Sequence, residues 1–339
     1  MRDVDYTRVD DPAEAVAVLS RNPGARLLAG GTDLLNLLKE HIEEPGLLVD
    51  VSRTPPTGIA EEPDGLTLGA LTTLADAAAH PAVRRGHPAV AQALESSASP
   101  QLRTMATLGG NLLQRTRCPY FRAETALPCN KRRPGTGCAA RTGDHRSAAI
   151  FETGTACVAT HPSDPAVALA ALDTRLRLRG PRGERTLALA DLYRMPGDPP
   201  HVETRLDHYE MITALHIPSS PLTAASRYVK VRERASYEFA LVSAAVAAVV
   251  EDGVLTDVRI ALGGVAPRPW RLHEAERALR GVEPRPAAVR EAVAPAFAAA
   301  RPLPRNAFKV ELALRTVVRA LTDVTDAPRA PQAPEGARR

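Results

Sequence analysis

The chain has 339 residues, 44% of them hydrophobic and 24% charged, a balance that suits two or three folded domains and excludes a disordered chain. No stretch reaches the roughly eighteen uninterrupted apolar residues of a membrane span, and the opening MRDVDYTRVDD lacks the charged-then-apolar order of a secretion signal. A net charge of +4 is too slight over this length to point to nucleic acid or an anionic membrane.

In chain order, Asp11 ahead of Pro12 marks a helix start, with Val16 and Leu19 on one face. Arg26, Leu27, Leu28 and Ala29 read as a strand running into Gly30, Gly31, Thr32 and Asp33, after which Leu34, Leu35, Leu37 and Leu38 suggest a partly buried helix. Short strands are expected over 47–51 and 66–70, then a helix capped by Thr72, and another over 87–97. From 99 to 160 periodicity fades while glycine, proline and arginine accumulate, a longer irregular stretch than compact domains carry without a reason. Something other than an apolar core should hold it.

A helix over 162–173 begins at Pro162 with Ser163 or Asp164 as its cap, followed by an alternating strand from Arg175 to Leu178 and a further strand within 206–220. A domain boundary is expected near 220. Beyond it, 239–250, the turn Asp252-Gly253 and 254–262 read as a hairpin, with Val254, Val258, Ile260 and Leu262 on one side. Val310, Leu314, Val317 and Leu321 repeat at helical spacing behind Asn306 as a cap, and the proline-rich tail 326–339 reads as disordered.

Two loops carry paired glycines between apolar flanks. In the first, Gly30 and Gly31 let backbone N–H groups converge on an oxyanion such as a phosphate, although a tight turn capped by Thr32 or Asp33 explains the same residues. The second, Thr107-Leu108-Gly109-Gly110-Asn111-Leu112, lies about eighty residues on, and two such loops can grip both ends of a pyrophosphate. Their spacing does not fit the G-x-G-x-x-G fingerprint, which disfavours a Rossmann site.

All four cysteines, Cys118, Cys129, Cys138 and Cys157, fall in the irregular stretch. This is too few for a disulfide-stapled secreted domain. Four thiolates from one segment can hold a tetrahedral zinc or a cubane iron-sulfur cluster; two disulfides or scattered buried thiols are the plainer alternative. Between 101 and 147 nine basic residues stand against Glu124 and Asp144, so this window alone is +7 and would favour an anionic cluster. Only four residues in the chain are lysine, so arginine as such says little. No Ser-His-Asp or paired-carboxylate arrangement stands out.

The segments AGGTDLL, SASPQLRTMATLGGNLLQRTRCPYFR, CNKRRPGTGCAAR, CVATHPSDPAVALAALD, YVKVRERASYEFALVSAAVA and ALGGVAPRPWR together resemble the FAD-binding medium subunit of the xanthine dehydrogenase and molybdenum hydroxylase family, over about residues 5–325. More narrowly, the cysteine loop resembles that of periplasmic-type bacterial aldehyde oxidoreductases, whose flavin subunit carries an additional 4Fe-4S cluster. The resemblance implies an α+β fold of the FAD-binding PCMH type, similar to vanillyl-alcohol oxidase, over 1–220, with subdomains at about 1–55 and 56–220 and a cluster loop at 115–160. A carboxy-terminal flavoprotein domain would occupy 221–325.

It also implies that FAD is held by Arg26, Leu27, Leu28, Ala29, Gly30, Gly31, Thr32, Asp33 and Leu34, and by Thr107, Gly110 and Asn111. Ala98, Gln101 and Arg103 would line the flavin, Asp164 after Ser163 would reach its sugar-alcohol chain, and Lys230 would sit near the isoalloxazine. Each has a plain alternative: a helix cap for Asp164, a solvated strand face for Lys230, a helix end for Ala98 and Gln101. His161 reads as a hydrogen-bonded loop residue rather than a ligand, and Trp270 as core. The four cysteines would bind the 4Fe-4S cluster.

By the same resemblance the function is electron transfer within a three-subunit aldehyde oxidoreductase. A large partner would carry the molybdenum cofactor, a small one two 2Fe-2S clusters, and electrons would leave to an external acceptor. Flavin then does the chemistry and the protein supplies binding and orientation. A zinc-stapled nucleotide-binding scaffold and a stand-alone flavin reductase or oxidase are the rival readings. The expected compartment is the cytoplasm, or the periplasm by co-export with a signal-bearing partner.

Overall fold

The computed structural model describes residues 2–194 and 199–326. Three sheets organise it. The first is parallel, with β1 (Asp5–Arg8), β2 (Arg26–Leu28) and β3 (Leu47–Asp50) in the order β1-β3-β2. Parallel neighbours need crossovers, here supplied by the helices Pro12–Arg21 and Leu34–Lys39. Asp11 caps the first of these, accepting from the Ala13 N–H at 2.6 Å.

The second sheet is antiparallel: β4 (Ile59–Glu62), β5 (Gly65–Gly69), β6 (Arg175–Gly180), β7 (Gly183–Ala188) and β8 (Met211–Pro218), in the order β4-β5-β8-β6-β7. The third is also antiparallel, with β9 (Ser226–Val231), β10 (Val242–Glu251), β11 (Val254–Gly263) and β12 (Trp270–Arg271) in the order β12-β11-β10-β9. Helices Leu74–Ala79, Pro88–Ser96 and Asp164–Ala171 fill the space between the second and third sheets, and Leu68, Leu94, Leu169, Leu215 and Ala245 share one core there.

Strand β10 is buried on both faces. Ala245 and Ala247 meet that core, while Ala244, Val246 and Ala248 meet helices Pro286–Val293 and Phe308–Thr325 on the other side. Its continuous apolar run follows from this. The hairpin forms as expected around Asp252 and Gly253, with one irregularity at Val249/Val250 that brings Leu255 into the core beside Val258, Ile260 and Leu262.

Several local expectations are corrected. Strands β1 and β4 lie at sheet edges with exposed side chains, so they carry no alternating pattern to read. Thr73, not Thr72, caps the helix Leu74–Ala79, accepting from the Asp76 N–H; Thr72 instead bonds both backbone groups of Gly58. Ser163 caps the helix that Asp164 begins. Asn306 caps nothing: it is fully buried, and its amide donates to Ala148 and Ala149 carbonyls. Trp270 is only partly buried and stacks on Phe151 at 5.1 Å. The stretch 99–160 contains the short helices Pro100–Arg103 and Leu108–Leu112 and a single 3-10 turn, Ala139–Arg141, and is otherwise irregular. The tail from 327 onward lies outside the described residues.

Lys309 ties that stretch to the last helix. Its side chain is inaccessible, and its Nζ donates to the carbonyls of Ser147, Ala148 and Gly264. Lys309→Met should leave buried carbonyls without a donor and lower the stability read by urea denaturation by about 1–3 kcal/mol. Burial also pushes the ammonium down to about 7 from 10.5. Between these values the unfolded chain binds the extra proton, so this group makes stability rise with pH across that window. The variant should lack that rise.

Candidate cofactor site

The parallel sheet ends at the first glycine loop, and the helix Leu108–Leu112 begins at the second. Both loops line a single cleft of about 1120 Å3. They touch each other. A side chain on Gly30 would overlap the Met105 carbonyl, and the Ala106 carbonyl accepts from the Leu74 N–H at 2.8 Å, fixing that turn from behind. The loops therefore face one space rather than opposite sides of the molecule.

The two loops offer different groups. Gly31 adopts a left-handed φ of +70°, and the N–H groups of Gly30, Gly31, Thr32 and Asp33 have no acceptor in the protein among the described residues. Such a run of unengaged donors suits an anionic oxygen. In the second loop the N–H groups are consumed internally: Gly109 donates to the Ala70 carbonyl at 2.8 Å, Gly110 to Thr107 Oγ1 at 3.2 Å, and Asn111 to the Thr107 carbonyl at 2.8 Å. What this loop offers is the Asn111 amide, whose Oδ1 is held by the Ser163 hydroxyl at 2.5 Å.

Of the residues expected to hold FAD, Arg26, Leu27, Ala29, Gly30, Gly31, Thr32, Asp33, Leu34, Ala98, Thr107, Gly110, Asn111, Asp164 and Lys230 line this cleft. Leu28 and Gln101 do not: Leu28 pairs with Asp50 inside the sheet, and Gln101 is exposed on a four-residue helix. Arg103 turns its guanidinium onto the Ser97 carbonyl at 2.8 Å. Asp164 and Lys230 form a buried pair at 2.8 Å in the cleft wall, joined by the Tyr228 hydroxyl at 2.6 Å and the Ser97 hydroxyl at 3.3 Å. Burial pushes the Asp164 carboxyl above its usual range, against the pull of Lys230. His161 packs on Tyr193 and sets its ring nitrogens against the Leu112 carbonyl and the Ser163 N–H; burial brings it down to about 4, so it stays neutral.

The four thiols are free and line one small cavity together with Phe121 and Lys131. Cys129 and Cys138 face each other across an antiparallel bridge, with the Asn130 N–H on the Gly137 carbonyl at 2.7 Å. Burial raises the Cys118 thiol, offset in part by the Phe121 and Tyr120 N–H groups. It pushes Cys157 up to about 11, with Lys131 and the Ala159 N–H pulling the other way. Among the described residues no three of these sulfurs lie within 4.8 Å of one another, although Glu62, Asp64 and His216 do have ligand atoms that close. A single zinc would draw thiolates to roughly 3.8 Å, from Zn–S bonds of about 2.3 Å in a tetrahedron. A cubane, with one iron per thiolate, holds them further apart.

The +7 window does not point at the thiols as a whole. Arg115 pairs with Glu43 and Glu203, Arg117 with Asp33, Arg122 with Asp33 and Glu40, and Arg146 with Glu233. Lys131 lies at the cysteine cavity and favours the Cys157 thiolate, and it is shared with Glu203 at 2.8 Å. Asp33 was expected at the cofactor; Glu40, Glu43, Glu203 and Glu233, and Lys131 as a single residue near the thiols, were not among the site residues read from sequence. A usable signal existed for Lys131: three of the four lysines, at 131, 230 and 309, have buried side chains in a chain that otherwise prefers arginine.

Comparison with known proteins decides what this cleft belongs to. The model of the FAD binding domain in molybdopterin dehydrogenase matches residues 2–220, and that of the CO dehydrogenase flavoprotein C-terminal domain matches 227–324. The chain belongs to the FAD-binding subunits of the molybdenum hydroxylases. It is an oxidoreductase subunit that binds FAD. Among its relatives, the aldehyde oxidoreductase FAD-binding subunit PaoB of Escherichia coli is 47% identical over 326 residues, covering 95% of this chain and 98% of that protein. The carbon monoxide dehydrogenase medium chain of Hydrogenophaga pseudoflava is 27% identical, covering 94% and 95%. A solved structure of the Hydrogenophaga enzyme, in a form lacking the Mo-pyranopterin moiety, superposes with a TM-score of 0.73 at 27% identity over 96% of this chain and 98% of that one. Among the described residues of this flavoprotein no helix is long and apolar enough to cross a membrane.

Proposed function

We propose that this chain is the FAD- and 4Fe-4S-bearing electron-transfer subunit of a molybdenum-dependent aldehyde oxidoreductase made of three different subunits. The large partner would carry the molybdenum cofactor and the small one two 2Fe-2S clusters, and an external acceptor would take the electrons. The observation that carries a metal site here is the convergence of four free thiols on one cavity; its reading as 4Fe-4S rather than zinc rests on the likeness of the cysteine loop to that of the aldehyde oxidoreductase flavin subunits. The aldehyde rests on the likeness to the aldehyde oxidoreductase subunit at 47% identity. The same reading divides the chain near residue 220, between β8 and β9.

Bound FAD supplies exchange of single electrons with iron-sulfur centres and of electron pairs with a diffusible acceptor. The chain's own part is to hold and orient. The unengaged N–H groups from Gly30 to Asp33 would meet the pyrophosphate, and the Asn111 amide would meet it from the second loop. Lys230 and Asp164 would fix the wall near the flavin, and neutral His161 adds no charge there. Cys118, Cys129, Cys138 and Cys157 would hold the cluster, with Lys131 offsetting its negative charge.

Anaerobically purified chain should contain one FAD and about four iron and four sulfide per chain, with a broad iron-sulfur absorption beneath the flavin bands. Zinc near one per chain without iron would favour the scaffold reading instead. Turnover of an aldehyde by the chain without partners would favour the stand-alone enzyme.

A further inference from the structure

The cysteine loop and the first glycine loop are far apart in sequence but share one rigid contact. The helix Leu34–Lys39, which follows directly on Gly30–Asp33, lies on the cysteine loop: Leu37 packs in one buried cluster with Phe121 and Cys129, flanked by Cys118. Both ends of that helix are strapped. At its start the Asp33 carboxylate accepts from the Arg115 N–H at 2.9 Å, from Arg117, and from Arg122 at 2.8 Å. At its end the Glu40 side chain takes Arg122 at 3.1 Å and the Glu40 carbonyl takes Arg132 at 3.1 Å. Arg122 also holds the Thr116 carbonyl at 3.0 Å and Arg132 the Ala123 carbonyl, so both guanidiniums are fixed to the cysteine loop itself.

Asp33 makes no bond that caps its own helix, so its carboxylate serves the cysteine loop alone. The three arginines around it lie within four residues of Cys118, and Arg132 lies three residues beyond Cys129. Any rearrangement of the backbone at Cys118 or Cys129 therefore moves the groups that set where Asp33, and with it the N–H groups of Gly30, Gly31 and Thr32, can point.

We propose that occupancy of the four-cysteine site by its iron-sulfur cluster sets the affinity of the first glycine loop for FAD, through the straps from Arg122 and Arg132 to Asp33 and Glu40. This rests on the reading of the loop as a cluster site. With the cluster in place the cysteine loop has one backbone arrangement and the donors are preorganised; without it the loop samples others, and FAD must reorder both loops as it binds. Coupling of this kind is reciprocal: bound FAD must raise the equilibrium affinity of the cysteine site for its cluster by the factor by which the cluster tightens FAD. Asp33 and the two arginines are positioning residues here.

The test uses the full chain, with whatever subunits co-purify, prepared anaerobically. FAD is titrated by flavin fluorescence into flavin-stripped protein, cluster-loaded and after removal of iron by chelation, with iron and sulfide assayed in parallel. The cluster-free form should bind FAD at least about tenfold more weakly, within the usual range of coupling between sites, and FAD should raise by about the same factor the chelator concentration that removes half of the iron at equilibrium. Arg132→Met, outside the cleft and not a ligand, should keep its iron yet reduce the ratio of the two dissociation constants toward one; Arg122→Met should reduce it further.

Equal FAD affinity in loaded and cluster-free protein would overturn the coupling while leaving the cluster reading intact. Absence of iron from freshly isolated chain would instead remove the cluster reading itself. Arginine variants that keep both iron and the full ratio would refute the route through Asp33 and Glu40. A cluster-free chain that loses its far-ultraviolet circular dichroism would attribute weaker FAD binding to unfolding, which also counts against the proposal.

Discussion

Asp164→Ala is expected to destabilise the chain by about 3–5 kcal/mol, the cost of leaving one member of a buried ion pair without the other. Asp164 is 5% exposed and the Lys230 side chain 4%. Once the carboxylate is gone, the ammonium keeps only the Ser96 carbonyl at 3.0 Å, and the Tyr228 hydroxyl loses its acceptor. The damage is not local. Asp164 opens the helix that packs between the second and third sheets, whereas Tyr228 and Lys230 lie on β9, so the pair joins the portion before residue 220 to the carboxy-terminal sheet.

Asp164→Asn, which keeps an acceptor but not the charge, should fall between wild type and Ala. The double variant Asp164→Leu with Lys230→Met should recover most of the loss, because apolar groups of similar volume replace a buried pair at little cost. Urea midpoints of the apoprotein check the order. A double variant less stable than either single one would show that the network contributes more than the removal of a charge-burial penalty.

The features legible from sequence were the local ones. Paired glycines, a turn dipeptide and a proline-led helix each lie within a few residues of what they do, the four cysteines share one irregular stretch, and the structure places both glycine loops on one cleft and the thiols around one cavity. What could not be read were the groups that connect these features. Arg115, Arg117 and Arg122 find their acids between 72 and 89 positions away, at Glu43, Asp33 and Glu203, and no periodicity encodes such a pairing. The +7 window suggested a field aimed at a cluster for the same reason: sequence counts charges but does not show that acids from elsewhere come to meet them.

The glycine loops themselves were read as equivalent, and they are not. Sequence shows the same pair of residues in both places; which N–H groups are already spent depends on partners remote in sequence, the Thr72 and Ala70 carbonyls that take Leu108 and Gly109 in the second loop, for which the first loop has no counterpart among the described residues. Leu28 and Gln101 lie outside the cleft lining: Leu28 alternates with its neighbours Leu27 and Ala29, which do line it, and Gln101 is exposed on a four-residue helix.

Lysine was the overlooked signal. Each of the three buried ones joins segments remote in sequence: Lys131 the cysteine loop to Glu203, Lys230 β9 to Asp164, and Lys309 the last helix to 147–148 and Gly264. An ammonium donates in three directions from one point, which a planar guanidinium cannot do in so small a space.

Gly30→Ala should abolish retention of FAD. A Cβ at this position would stand 1.8 Å from the Met105 carbonyl oxygen and 2.6 Å from its carbon, both backbone atoms. The carbonyl cannot swing aside, because the flanking Ala106 N–H is bonded to Leu102 and the Ala106 carbonyl to Leu74, each at 2.8 Å. The only relief is separation of the two loops, which moves the N–H donors of the first away from the Asn111 amide of the second. Gly31→Ala should be milder: its Cβ meets the mobile end of Leu35 at 2.9 Å, and the left-handed φ adds about 1–2 kcal/mol of strain. Gly24→Ala, with no atom within 4 Å of the new methyl, is the control. Gel filtration followed by flavin absorbance should find wild-type FAD content in Gly24→Ala, a reduced content in Gly31→Ala, and under a tenth in Gly30→Ala. A folded Gly30→Ala chain that keeps its flavin would mean that the close approach of the two loops is not what binds it.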